Sequence, residues 1–197
     1  MWYWIFRSFF VVAFRLLFRL KAEGLENIPD KTNFIVVANH TSFLDPFAVG
    51  VAIPKRIYWV TARYLYGISW VVWFLRRTGT FSQGSASQKA ISLLEANRNV
   101  GLFPEGQRSI DGKLQEFRRG AALLAAKTGR PVLPCAILGS FEALPRGARL
   151  LKLVPITVKV GKPVYILKEY EETVDDVYLQ EGTLRIRNQI KEMLYGE

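Results

Sequence analysis

The chain is poor in the residues that usually carry catalysis or cross-linking. It has one cysteine, Cys135, and one histidine, His40, in 197 residues. A lone cysteine cannot close an internal disulfide or nucleate a multi-cysteine zinc site. This favours the reducing, cytosolic side as the expected compartment. A lone histidine leaves one candidate for any step that needs an imidazole. Acidic residues are scarce too: 17 Asp and Glu against 27 Lys and Arg give a net charge of +10. Glycine (15) and proline (9) are too few for a collagen-like or low-complexity chain, and 50% hydrophobic residues exclude intrinsic disorder. Such a length supports one ordinary domain with its own core.

Long uncharged apolar runs are also missing. The segment Trp2–Leu20, WYWIFRSFFVVAFRLLFRL, is broken by Arg7, Ser8, Arg15 and Arg19. Its longest stretch without charge or serine, Phe9–Phe14, is far short of the ~20 residues a spanning helix needs. At ~100° per residue the four polar positions fall within an arc of roughly 120°. That pattern predicts an amphipathic helix lying on a membrane surface, basic strip toward the headgroups and aromatics in the acyl boundary. The competing readings are a core or partner-bound helix and a signal peptide. Arg15 and Arg19 fall where a cleavage site would lie, so the segment is read as retained. The expected organisation is a membrane-association helix over residues 1–22 and one domain over 23–197.

The remainder alternates strand and helix. Strands are expected at Phe34–Asn39, Ile57–Thr61, Gly79–Phe81, Val100–Phe103 and Val132–Leu138, with a late pair, Ile156–Val160 and Val164–Ile166, around Gly161. Helices are expected from Asp45 to about Ile53, and over Leu65–Arg76, Ser85–Asn97, Arg118–Thr128 and Thr183–Leu194. Asp45 and Pro46 read as N-cap and first-turn proline, and Gly129 as a C-cap. The order implies an α/β fold with a mostly parallel central sheet flanked by helices. No internal repeat and no domain linker are visible.

Ligands bind at the carboxyl ends of strands in such sheets. Three candidate strand ends carry distinctive residues: Asn39–Asp45, Phe103–Ser109 and Leu133–Ala136. His40 and Asp45 are too far apart in angle to meet on one continuous helix, but can converge across a strand–turn–helix corner. A carboxylate on one imidazole nitrogen leaves the other free to take a proton. The pair could then act as a general base, activating a hydroxyl for attack on an acyl carbonyl. The competing reading is a surface histidine beside an ordinary capping aspartate. In Phe103–Ser109, Gly106 permits a positive-φ turn, Arg108 could grip a phosphate, and Glu105 could bind a hydroxyl or tie down the loop. Arg118 and Arg119 add charge at a helix start, or are surface arginines.

These blocks resemble a known family. NHTSFLD is similar to the NH-x4-D block of the glycerolipid acyltransferases, the 1-acylglycerol-3-phosphate acyltransferases. FPEGQRS resembles their FPEG-x-R-S block, and FRRGAALLAAKTGRPVLPCAI the stretch that follows, ending around Pro134. The similarity spans roughly residues 24–165. It implies His40 as general base, Asp45 as its orienting carboxylate, and Glu105, Gly106 and Arg108 in the acceptor site, with Pro134 shaping the pocket. It implies acyl transfer from acyl-CoA or acyl-carrier protein to the free hydroxyl of lysophosphatidic acid, giving phosphatidic acid, with no metal or bound cofactor. Two departures stand out: Gln107 replaces the usual threonine, and Gln83 lies near the position of a second phosphate-binding arginine. Hence Arg118 or Arg119 is expected to help Arg108. Another acceptor (a lyso-amino-lipid or glycerol 3-phosphate) is the first alternative, and a non-catalytic lipid-binding protein the second. The expected location is the cytoplasmic face of a membrane, monotopic, on anionic lipid. Nucleic acid is not an expected partner, because no RNP-type block, zinc spacing or helix-turn-helix signature is present.

Overall fold

The computed structural model describes residues 2–61, 80–82, 86–169 and 174–196. The helix expected over 65–76, and with it Gly79 and Gln83, lies outside the described residues. Among the described residues seven strands form one sheet in the order β1-β7-β6-β2-β5-β3-β4. They are β1 (Lys21–Glu23), β2 (Ile35–Ala38), β3 (Ile57–Thr61), β4 (Phe81–Ser82), β5 (Asn99–Leu102), β6 (Val132–Leu138) and β7 (Thr157–Val160). Every neighbouring pair is parallel except β6 with β7. The helices are α1 (Trp2–Leu17), α2 (Asp45–Ala52), α3 (Ala86–Glu95), α4 (Gly120–Thr128), the short α5 (Ser140–Ala143) and α6 (Asp176–Tyr195).

β2 and β6, at the centre of the sheet, are apolar at every position because both sheet faces are covered there. Along β2 and the residue before it, Phe34, Val36 and Ala38 enter a core shared with α1 and α2. Ile35 and Val37 point the other way, into a core built with α3, α4 and α6. β6 divides likewise: Leu133, Cys135 and Ile137 on the first side, Val132 and Ala136 on the second. Ala121, Ala122, Ala125 and Ala126 let α4 approach the sheet closely, and Gly129 ends it at φ 66°. α4 begins at Gly120, two residues later than expected, so Arg118 and Arg119 precede it.

Four expectations are corrected. Lys21–Glu23, read as a link, is an edge strand, because β7 offers it a parallel partner. Val164–Ile166 is not a strand and does not pair with β7. Only Val164 bridges Val132, extending the antiparallel side of β6 beyond a bulge at 161–163. Leu133–Ala136 is not a strand end; these four residues are buried in the middle of β6. Pro134 is tolerated there because its missing N–H falls opposite that bulge, where Gly161 N–H donates to the Pro134 carbonyl instead. α6 begins at Asp176, well before Thr183, capped by the Asp175 carboxylate accepting from Val177 N–H.

α1 is docked rather than free-standing. Phe14, together with Phe18 just past the helix end, is buried in the α1/α2 core, and the Phe10 ring lies 4.5 Å from that of Phe47 on α2. The basic strip is not continuous. Arg7 turns inward and donates to the carbonyls of Gly50 (3.1 Å) and Val51 (3.0 Å), capping the C-terminal end of α2. Arg19 lies beyond the helix at φ 44°, where the chain turns toward β1. Trp2, Trp4, Ile5, Phe9, Val12, Leu16 and Leu17 remain exposed. Among the described residues no helix is long and apolar enough to cross a membrane.

Candidate active site

The turn after β2 and the loop after β5 meet at the carboxyl end of the sheet. Asn39 fixes where β2 ends. Its amide donates to the Ile137 carbonyl and its Oδ1 accepts from Ile137 N–H, tying the turn to β6. His40 follows at the strand exit. Asp45 opens α2 but does not cap it; Leu44 holds the capping position. Pro46 takes the first turn, where its missing N–H costs nothing. The Asp45 carboxylate is turned back over the preceding loop instead. Its Oδ2 accepts from Thr41 N–H (2.7 Å) and Ser42 N–H (2.8 Å) and lies 2.8 Å from His40 Nδ1.

This geometry sets the tautomer. An ionised carboxylate only accepts, so Nδ1 carries the proton toward Asp45 and Nε2 keeps its lone pair. Among the described residues Nε2 has no hydrogen-bond partner. Asp45 is fully buried, whereas the His40 side chain is 18% exposed. A buried anion thus sits behind an imidazole whose free nitrogen is open to a ligand. The other carboxylate oxygen, Oδ1, is buried with no partner among the described residues.

Three contacts fix the ring and its backbone. The Phe103 ring stacks on the imidazole at 4.1 Å between centroids, and Trp59 stacks on Phe103 at 5.0 Å. Gly101 leaves room for this column: an added Cβ there would meet the Trp59 ring at 2.7 Å. His40 N–H donates to Glu105 Oε1 (2.8 Å), and the His40 carbonyl accepts from Ser109 N–H (2.7 Å). Glu105 is buried and also accepts from Gln115 N–H (3.4 Å). Burial pushes its carboxyl up to about 7, against the pull of these two N–H donors. Of the two roles read for Glu105, its contacts match the tie.

Gly106 has φ 75°, and an added Cβ would meet the Arg118 guanidinium at 2.8 Å. Arg118 therefore lies against the Glu105–Gly106 turn, where its N–H also donates to the Pro104 carbonyl. Arg108 sits 3.6 Å above the Phe43 ring, between the two loops. Arg119 is placed differently. It pairs with Asp176 at the start of α6 (2.6 Å) and lines a groove of about 210 Å³ with Glu116, Gln180 and Arg187. The structure thus brings His40, Asp45, Glu105, Gly106, Arg108 and Arg118 together and directs Arg119 to α6. Phe103 and Trp59 were not singled out in the sequence, where aromatic residues in strands signal only core. Among the described residues no group of three His, Cys, Asp or Glu is arranged to hold a metal ion. Cys135 is fully buried, with its thiol pushed up to about 12 by desolvation, which suits packing and not nucleophilic attack.

Residues 19–138, which hold His40, Asp45, Glu105, Gly106, Arg108 and Arg118, match the family model described as Acyltransferase. The chain belongs to the Acyltransferase family. A chloroplastic 1-acyl-sn-glycerol-3-phosphate acyltransferase of Arabidopsis thaliana is 32% identical over 158 residues, covering 75% of this chain and 44% of that protein. A protein of the same activity name from Borreliella burgdorferi is 30% identical over 166 residues, covering 78% of this chain and 66% of its own length. The chain thus spans under half of the plant relative and about two thirds of the bacterial one. The crystal structure of the 1-acyl-sn-glycerophosphate (LPA) acyltransferase PlsC from Thermotoga maritima shares the fold. Its TM-score is 0.79 at 29% identity, covering 96% of this chain and 78% of that one. In this acyltransferase-family chain the α/β sheet thus has a solved counterpart.

Proposed function

We propose that this protein transfers a fatty acyl group from acyl-CoA or acyl-carrier protein to the free hydroxyl of a lysophospholipid. Lysophosphatidic acid is the favoured acceptor and phosphatidic acid the product. The observation that carries the reading is the 2.8 Å contact of His40 Nδ1 with the buried Asp45 carboxylate, with Nε2 open. Nε2 takes the acceptor's hydroxyl proton as that oxygen attacks the thioester carbonyl. The tetrahedral intermediate then expels the thiolate, which receives the proton from the imidazolium. Asp45 holds the ring and stabilises its charged form, and Glu105 and Ser109 hold the His40 backbone. The sequence needs no protein nucleophile, because the thioester is already activated. Arg108, backed by Arg118, is the proposed grip on the acceptor phosphate; Arg119, paired with Asp176, is held less available for it.

The proposed setting is a bilayer surface, where such an acceptor and product reside. α1, the proposed membrane-association segment within residues 1–22, docks one face on α2 and offers the other, with Trp4, Phe9, Val12 and Leu16, to lipid. The cytoplasmic face is the proposed side.

The test is thioester release by purified protein with a panel of acceptors. Lysophosphatidic acid should support the fastest turnover, and Arg108→Ala should raise its KM about ten- to a hundredfold, the loss of one charge-assisted contact. Preference for an uncharged or amino-lipid acceptor, with KM unmoved by Arg108→Ala, would contradict the assignment of the headgroup.

A further inference from the structure

Between Ala143 and Lys168 the chain has no acidic residue. The first part of this stretch, PRGARLLKL from Pro145 to Leu153, crosses the surface between α5 and β7 without helix or strand. Leu150, Leu151 and Leu153 are 81%, 47% and 53% exposed. Three uncovered leucines within four positions form a concentrated apolar tip, unlike scattered surface leucines. Arg146, Arg149 and Lys152 are interleaved with them and exposed, and among the described residues none is in an ion pair.

The loop is held in this shape. Ala148 N–H donates to the Pro145 carbonyl, Lys152 N–H to Ala143, and Val154 N–H to Lys152. Both ends are tied to the functional parts of the molecule. At one end the Leu144 carbonyl accepts from Ser42 Oγ in the His40–Asp45 turn, and Arg146 reaches the Arg108 carbonyl. At the other, Ile156 N–H donates to the carbonyl of Phe18, next to the exposed Leu16 and Leu17 at the end of α1. Leucine tips interleaved with cations, with no acid among them, suit an anionic lipid surface: the leucines gain from the acyl boundary and the cations from the phosphates. A nucleic acid would reward the charge but not the leucines.

We propose that residues 146–153 form a second membrane contact beside α1. Leu150, Leu151 and Leu153 enter the acyl boundary and Arg146, Arg149 and Lys152 meet lipid phosphates, seating the turn that carries His40 at the lipid surface. This rests on the reading that the protein works on a bilayer.

The experiment uses the full chain with Leu150→Cys carrying an environment-sensitive fluorophore; Cys135, fully buried, does not compete for the label. The probe is phosphatidylcholine vesicles with and without phosphatidylglycerol, some containing spin-labelled lipid. On anionic vesicles the emission should shift to the blue and be quenched by the spin label. In parallel, the triple variant Leu150→Ser, Leu151→Ser, Leu153→Ser should bind these vesicles about tenfold or more weakly with an unchanged Tm. Protein that floats with the vesicles while the dye keeps its aqueous emission would overturn the proposal and leave the membrane reading standing. A triple variant that binds as tightly as the parent would do the same. A dye shift that needs only protein, without lipid, would assign the loop to a second copy of the chain and also overturn it. Failure of the parent protein to float at all would overturn both.

Discussion

Glu105 makes stability depend on pH in a direction opposite to that of most carboxylates. It is buried with two backbone N–H donors, and its carboxyl is pushed up to about 7 from an ordinary value of 4.5. The native state therefore holds a proton that the unfolded chain releases anywhere between these values. The resulting stabilisation is fully present below about pH 4.5 and lost as pH rises to about 7. At ~1.36 kcal/mol per unit, a span of about 2.5 units corresponds to about 3 kcal/mol. Glu105→Gln removes the titration while keeping a carbonyl for His40 N–H. Urea unfolding of both proteins from about pH 4.5 to 8 isolates the term, since all other groups titrate alike in the two. The stability of the parent relative to the variant should fall by about 3 kcal/mol up to pH 7 and then level off. Parallel curves would refute the reasoning, showing that the two N–H donors fully compensate the burial of the charge.

Asp45→Asn should cost about 2–4 kcal/mol of stability, because Oδ2 serves two backbone N–H groups besides the imidazole and the new amide nitrogen has no acceptor where Oδ1 now sits. Its kcat should fall less than that of His40→Ala, and an unchanged urea midpoint would refute the structural part of this claim. Arg7→Gln should cost about 1–3 kcal/mol of stability through the lost cap on α2. Arg15→Gln with Arg19→Gln should leave folding intact and weaken binding to anionic vesicles by about 1 kcal/mol per charge. A destabilised Arg15/Arg19 variant, or an unaltered Arg7 one, would show that the inward and outward arginines are misassigned.

What could be read in advance follows a physical line. Val132–Leu138 is legible to the residue because a strand covered on both faces must be apolar throughout, and Ile57–Thr61 because its residues are β-branched or aromatic. Lys21–Glu23 was not, since a charged edge strand is defined by its partner β7 and not by its own composition. The start of α6 was hidden because Asp175, Asp176 and Gly182 look like a loop. Yet Asp175 is a cap, and Gly182 lies where an added Cβ would meet Ile166 at 2.8 Å. Leu133–Ala136 reads as a strand end from the sequence, and only the bulge opposite Pro134 makes a mid-strand proline acceptable. In the site, a histidine and an aspartate flanking a turn signal convergence by chemistry and spacing. The fate of an arginine is not so visible: Arg7 and Arg119 find their partners on α2 and α6, remote in sequence. The Trp59–Phe103–His40 column carries no sequence signal, because stacking depends on strand register across the sheet.

The central claim is that His40, held by Asp45, takes the acceptor's proton. The most direct test is the kcat of His40→Ala for thioester release with lysophosphatidic acid, measured beside its urea unfolding curve. The account predicts a folded protein whose turnover has fallen by at least ~10²-fold, since the sequence holds no second histidine to substitute. Near-parental turnover by a folded His40→Ala protein would contradict it.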